Sequence, residues 1–392
     1  MTAVKSPPEA PAHSAQPAFS LYVKNYVAKV RGGDIGSLPA VAAILVLTAF
    51  FEVLRPSFLH ANNIAALLTQ GAGVVVIAMG LIFVLLIGEI DLSAGFTAGI
   101  CATVMTLMMT RQPGFALPNG LGWYIAVPTA IVTGAAIGGL IGWLVSKIAI
   151  PSFVVTLAAY LAFQGVALSL LHGGNSVAIF DPTVLKIENS NLSPNASWGL
   201  CAVTVIAYAG FQFNRARVRA RRNLISEPVT VTVARVAGLA ILLVIAVYML
   251  NIDRSSASAV YAIQGIPFVV PVIGILLLAW TFVLGRTAFG RHLYAVGGII
   301  LASRLNSVDP TTGGSDILLD SVGAAVIGGA SLFGGRGRAI NAVLGGLVIA
   351  IINNGMGLMN VSAGTKFIFT GSVLLLAAAV DALSRKRAAA TT

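Results

Sequence analysis

The chain has 392 residues, of which 57% are hydrophobic and only 9% charged, with 42 glycines and a mean hydropathy of +0.92. One soluble core could not hide that much apolar surface, so a soluble globular protein is excluded and an all-α, polytopic membrane protein is expected. The formal net charge of +11 does not point to nucleic acid, because the basic residues sit mostly between apolar segments, where the orientation of membrane helices places them. Residues 1–37 form a polar tail rich in Pro, Ala and Ser, with Lys5, Lys24, Lys29 and Arg31. The tail reads as cytosolic and partly disordered, and it is too long and polar before the first apolar run for a cleavable signal peptide.

Eleven apolar runs follow, at about 38–54, 67–87, 94–110, 123–146, 152–171, 198–213, 234–250, 267–285, 321–333, 339–352 and 366–383. A spanning helix needs about 20 residues, so the runs at 321–333 and 339–352 read as half-helices. The expected body is therefore about 10–11 hydrophobic helices, some of them broken or re-entrant. Cys101 and Cys201 lie in or at apolar runs, and the four histidines are scattered, so no disulfide framework, metal site or cofactor is expected.

Between the second and third runs stands Gly88-Glu89-Ile90-Asp91-Leu92-Ser93. A carboxylate at the bilayer centre costs roughly 2.5–3.5 kcal/mol, so Glu89 and Asp91 require polar neighbours, water or an interfacial position. Asp91 or Ser93 could accept the free N–H groups that open the run from Ala94, an ordinary N-cap. Glu89 precedes the cap and is the better candidate for a polar contact in a transport path.

The second half repeats this layout. An apolar run broken by Gly328-Gly329 and Gly334-Gly335 is followed by another that ends near Asn353-Asn354. Broken segments in two halves of a transporter often line the substrate path, because non-helical backbone at membrane depth is tolerated only inside protein or beside water. Close helix packing explains the glycines equally well. Asn353 and Asn354 could offer amides to a polar solute or mark the end of a helix.

Basic groups test the count. Arg215, Arg217, Arg219, Arg221 and Arg222 follow the sixth run, Arg286 and Arg291 the eighth, and Arg336 and Arg338 the ninth; Arg385-Lys386-Arg387 close the chain. With the amino end inside, the first two groups fall inside, yet eleven full crossings would place the last group outside. Either the run at 321–333 crosses nothing or a helix is missing near residues 298–301.

The run from Ala78-Met79-Gly80-Leu81 to Gly88-Glu89-Ile90-Asp91-Leu92-Ser93-Ala94-Gly95 resembles the signature of permease subunits of bacterial ABC importers for monosaccharides, the ribose and xylose permease family. Gly285-Arg286-Thr287-Ala288-Phe289-Gly290-Arg291, Tyr294-Ala295-Val296-Gly297-Gly298, Gly328 to Gly337 and Asn353-Asn354-Gly355 agree in the same order. Glu89, where many members have glycine, looks like the xylose-type branch.

The resemblance implies an all-helical homodimer or paired permease in the cytoplasmic (inner) membrane, surrounded by lipid. It implies a separate ATPase subunit and an extracytoplasmic sugar-binding protein as partners. No Gly-Lys dipeptide occurs, so the chain lacks the phosphate-cradling loop and is not itself expected to be an enzyme. The expected substrate path comprises Glu89, Asp91, Ser93, Asn353 and Asn354; Arg286, Gly290 and Arg291 flank the expected ATPase-coupling region.

In one place the chain departs from the family. After Gly298, members usually continue with a cytosolic coupling helix and another membrane helix. Here the chain passes directly to Ile299-Ile300-Leu301-Ala302-Ser303-Arg304-Leu305, as though roughly thirty residues were deleted. The expected organisation is a tail at 1–37, a permease body at 38–384 with this deletion, and a basic tail at 385–392; coupling to ATP is expected to be impaired. A stand-alone secondary transporter with Glu89 or Asp91 as a proton-linked acid is the alternative.

Overall fold

The computed structural model describes residues 24, 27–28, 36–110, 120–222, 228–255, 262–284, 293–331, 334–335 and 337–390. Thirteen helices occur among them: α1 (Leu38–Leu54), α2 (Ala61–Leu86), α3 (Ala94–Met109), α4 (Trp123–Ser146), α5 (Ser152–Leu170), α6 (Pro182–Asn189), α7 (Pro194–Arg221), α8 (Val229–Asn251), α9 (Val269–Leu284), α10 (Leu293–Leu305), α11 (Ser315–Ile327), α12 (Ala339–Leu358) and α13 (Ala363–Ala390). Two short strands, β1 (Val177–Ala178) and β2 (Ser307–Val308), pair antiparallel with Val177 opposite Val308. Six of the helices are long and apolar enough to cross a membrane: α2, α4, α5, α7, α8 and α12. The all-α polytopic reading holds.

α2 is the centre of the bundle. In its most apolar window 78% of the residues are buried inside the protein, against 72% for α12 and 11% for both α7 and α8. Small residues make this burial possible, because a glycine lets a neighbouring backbone approach closely. A Cβ added at Gly71 of α2 would stand 2.8 Å from Cβ of Ala350. Gly346 of α12 in turn lies against Val75, so α12 runs antiparallel to α2.

The same reasoning orients the neighbours. Gly297 meets Ile77 and Gly73 meets Leu301, so α10 is antiparallel to α2. Gly345 lies against the Ala324 carbonyl and Gly328 against that of Asn341, so α11 is antiparallel to α12. α11 therefore runs between the two levels in the same sense as α2 and does not turn back on itself.

α10 occupies the stretch where a helix was expected to be missing, and Ala295, Ile299, Ile300, Leu301 and Ala302 on it are all buried. Besides the six long helices, five shorter apolar helices are described, within α1, α3, α9, α10 and α13. α10 escapes a hydropathy reading because it has 13 residues, with Gly297-Gly298 and Arg304 interrupting its apolar surface.

Boundaries shift at the second broken segment as well. α11 covers Ser315–Ile327 where 321–333 was expected, and at 13 residues it is about 20 Å long, shorter than a bilayer core. Beyond it the backbone is irregular; Gly329 is exposed, whereas Ala330 and Ser331 are 1% and 3% exposed and so sheltered by protein.

Candidate functional site

The acidic break after α2 begins with Ile87 and Gly88, whose φ of 78° suits glycine. Gly88 and Glu89 donate their N–H groups to the carbonyls of Leu85 and Val84, at 3.0 and 3.2 Å, and so close the end of α2. Asp91 is 5% exposed and Ser93 fully buried. Asp91 Oδ1 accepts from the Ser93 N–H at 2.9 Å and from the Ser93 hydroxyl at 2.6 Å. Ser93 is the N-cap residue of α3 but makes no side-chain cap itself, since its hydroxyl is committed to Asp91. The Glu89 side chain is half-buried.

The two broken segments meet in space. Gly335 donates its N–H to the carbonyl of Leu86 at 3.0 Å, and a Cβ at Gly334 would stand 3.0 Å from the Gly88 nitrogen. Gly334 and Gly335 have φ of 85° and 76°, so this contact depends on backbone that L side chains rarely adopt.

Asn353 and Asn354 lie elsewhere. α12 continues to Leu358, so both sit inside a helix; the expected helix end at 352 is displaced by a turn and a half. Asn354 Nδ2 donates to Gln70 Oε1 at 3.2 Å, while its Oδ1 accepts from Asn63 Nδ2 at 2.8 Å. Asn353 Nδ2 donates to Asp320 Oδ2 at 2.7 Å. Of the five expected path residues, Glu89, Asp91 and Ser93 share one connection, and the asparagines belong to a separate polar chain through α2, α11 and α12. Arg286, Gly290 and Arg291 lie outside the described residues.

That polar chain continues into residues the sequence reading passed over. Arg304 of α10 donates to the Gln70 carbonyl at 3.4 Å. Beside α10 packs α6, held by the Ser303 hydroxyl on the Val184 carbonyl at 2.7 Å and by Asn189 Nδ2 on Asn306 Oδ1 at 2.9 Å. Glu188 of α6 is 6% exposed, and both its carboxylate oxygens are buried without a hydrogen-bond partner among the described residues. Burial pushes its carboxyl up to about 8, partly opposed by the positive charge of Arg304. Gln70 follows only Thr69 in the long apolar stretch of α2, and a polar side chain so placed is the signal that could have drawn attention to it; Glu188, among Lys186, Asn189 and Ser190, gives no such signal. Among the described residues no group of three His, Cys, Asp or Glu side chains could hold a metal ion.

Comparison with known proteins fits this architecture. Residues 63–378 match the family model described as branched-chain amino acid transport system, permease component. The xylose transport system permease protein of Haemophilus influenzae is 32% identical over 395 positions, covering 92% of this chain and 99% of that protein. The corresponding protein of Escherichia coli K12 is 31% identical, covering 88% and 92%. The ribose import permease protein of Escherichia coli K12 is 29% identical, covering 87% and 92%. No solved structure matches. With its buried, glycine-lined inner bundle and a family match across most of its length, the chain belongs to the permease-component family of branched-chain amino acid transport systems.

Proposed function

We propose that this chain is the membrane-spanning subunit of an ABC importer that carries a monosaccharide, xylose or a related pentose, across the cytoplasmic membrane. One observation carries the reading: similarity to a xylose permease protein extends over 92% of this chain and 99% of that protein. A separate ATPase would supply the energy and an extracytoplasmic binding protein the sugar, with the permease working as a homodimer or pair. The reading puts the amino end and the basic groups in the cytosol, as the positive-inside rule expects. The polar tail at 1–37, the body at 38–384 and the basic tail at 385–392 follow from that assignment.

Within the body, Glu89, Asp91 and Ser93 are proposed to border the sugar path, with Asn353 and Asn354 farther along it. The packed contact of Gly334 and Gly335 with the end of α2 supports a shared role for the two breaks. The deletion after Gly298 is retained as part of the proposal. Its support is that the 395-position alignment takes in only 92% of 392 residues, so the relative carries roughly thirty more residues inside the matched stretch. α10 would then join, as one buried helix, segments that flank a coupling element in relatives. Arg286, Gly290 and Arg291 would remain on its amino side, and transmission of ATPase closure would be impaired, since coupling needs contacts that differ between two states.

The test is ATP-dependent uptake of radiolabelled xylose and ribose into vesicles that hold this chain, its ATPase and its binding protein. A version with the segment after Gly298 restored is measured in parallel. Xylose uptake roughly tenfold faster in the restored version is expected, a loss of coupling worth about 1.4 kcal/mol. Equal uptake by both overturns the coupling reading. Uptake of neither sugar by either version overturns the pentose reading.

A further inference from the structure

At the arginine-rich end of α7, α7 and α8 leave a shallow, open groove, lined by Gln212, Arg215, Ala216 and Arg219 from α7 and by Thr232 and Arg235 from α8. The four α7 residues recur at spacings of three and four, so they share one helix face. Three guanidinium groups line the groove, and that of Arg235 also engages a group outside this lining. Arg215 and Arg235 are exposed, Arg219 is half-buried, and Thr232 is 6% exposed. Planar guanidinium forks match the oxygens of a phosphate, and a neighbouring hydroxyl and amide can complete the donor set.

The surroundings decide which phosphate. α7 and α8 bury only 11% of their apolar windows inside the protein. Phe211, Phe213, Val229 and Val233 stand 65%, 45%, 52% and 47% exposed on the same stretches of these helices. A soluble anion would gain nothing from this apolar rim, whereas a lipid would cover it with acyl chains. Basic pockets between membrane helices at the cytosolic surface are suited to anionic headgroups.

We propose that this groove binds the phosphodiester headgroup of an anionic phospholipid from the leaflet on the basic side, with the acyl chains running over Phe211 and Val233. The arginine cluster thereby does more than set orientation: part of it forms a lipid site, and Arg217, Arg221 and Arg222, outside the lining, do not.

The experiment uses the full chain in neutral detergent, with bound lipid counted by native mass spectrometry and thermal stability read on the same samples. Phosphatidylglycerol is titrated against phosphatidylcholine, and inorganic phosphate is added as a competitor. Saturable retention of phosphatidylglycerol, roughly tenfold above phosphatidylcholine, is expected, with a matching rise in melting temperature. The triple variant Arg215→Gln, Arg219→Gln, Arg235→Gln should lose that preference, and Arg217→Gln, Arg221→Gln, Arg222→Gln, which removes the same charge, should keep it. If the groove triple variant does not fold, Arg219→Gln alone should weaken retention several-fold. Equal loss in both triple variants would mean diffuse attraction and overturn the proposal. So would equal retention of the two lipids or displacement by millimolar phosphate.

Discussion

α2 and α8 have nearly the same hydropathy, 2.2 and 2.4, yet 78% of one window is buried in protein and 11% of the other. Apolarity takes a helix into the membrane but does not say whether its neighbours will be protein or lipid, because lipid tails are as apolar as leucine. The glycines tell the two apart. Gly71 and Gly73 of α2 and Gly345 and Gly346 of α12 each lie against a neighbouring helix, whereas Gly238 of α8 and Gly199 and Gly210 of α7 have nothing within 4 Å. At these positions glycine on the inner helices is a contact surface; on the outer ones it is only a missing side chain.

The largest effect should come from breaking the inner surface. Gly345→Val would drive a branched side chain into the Ala324 carbonyl and the Gly328 nitrogen, both backbone atoms with little room to yield. A loss above about 3 kcal/mol is expected, seen as collapse of the monodisperse fraction after detergent extraction. A fully folded Gly345→Val protein would mean that α11 and α12 are not closely packed.

A middle-sized effect belongs to the polar inner layer. The Glu188 carboxyl titrates near 8 against an ordinary 4.5, so the folded state holds its proton more tightly than the unfolded chain does. The stability from that proton is fully present below about pH 4.5 and fades as pH rises to about 8. The slope is at most about 1.4 kcal/mol per pH unit. Glu188→Gln should flatten this dependence and melt higher than the wild type at pH 8; unchanged pH profiles would show that Glu188 is solvated.

The smallest change lies on the outside. Gly238→Ala adds a methyl into open space on α8 and should alter stability by no more than about 1 kcal/mol, in the stabilising direction. A large loss would place a protein neighbour there and erase the contrast with α2.

Much of this organisation was legible in the sequence. The runs at 38–54, 94–110, 123–146 and 152–171 fall within a residue of α1, α3, α4 and α5, since each is uniformly apolar and bounded by polar or glycine-containing stretches. The acidic break was visible because two carboxylates in such a chain need an explanation. α10 was not, because its burial comes from small residues facing α2 and α3, a tertiary property that hydropathy does not encode. The site was only half legible for a similar reason. Asp91 and Ser93 are neighbours in sequence, whereas Asn354 meets Gln70 across 284 residues and Asn353 meets Asp320 across another helix.

That 284-residue separation has a consequence for how the molecule is made. At 5–20 residues per second, Gln70 and the Leu86 carbonyl leave the ribosome roughly 10–60 s before Asn354 and Gly335 exist to meet them. During that interval α2 can already pack against α10, through Gly73 on Leu301 and Gly297 on Ile77, but the face that meets α12 stays open. The centre of the protein is thus sealed by nearly its last helices to be synthesised, and a chain stopped before α12 would leave Gly71 and Val75 of its most buried helix without their partners.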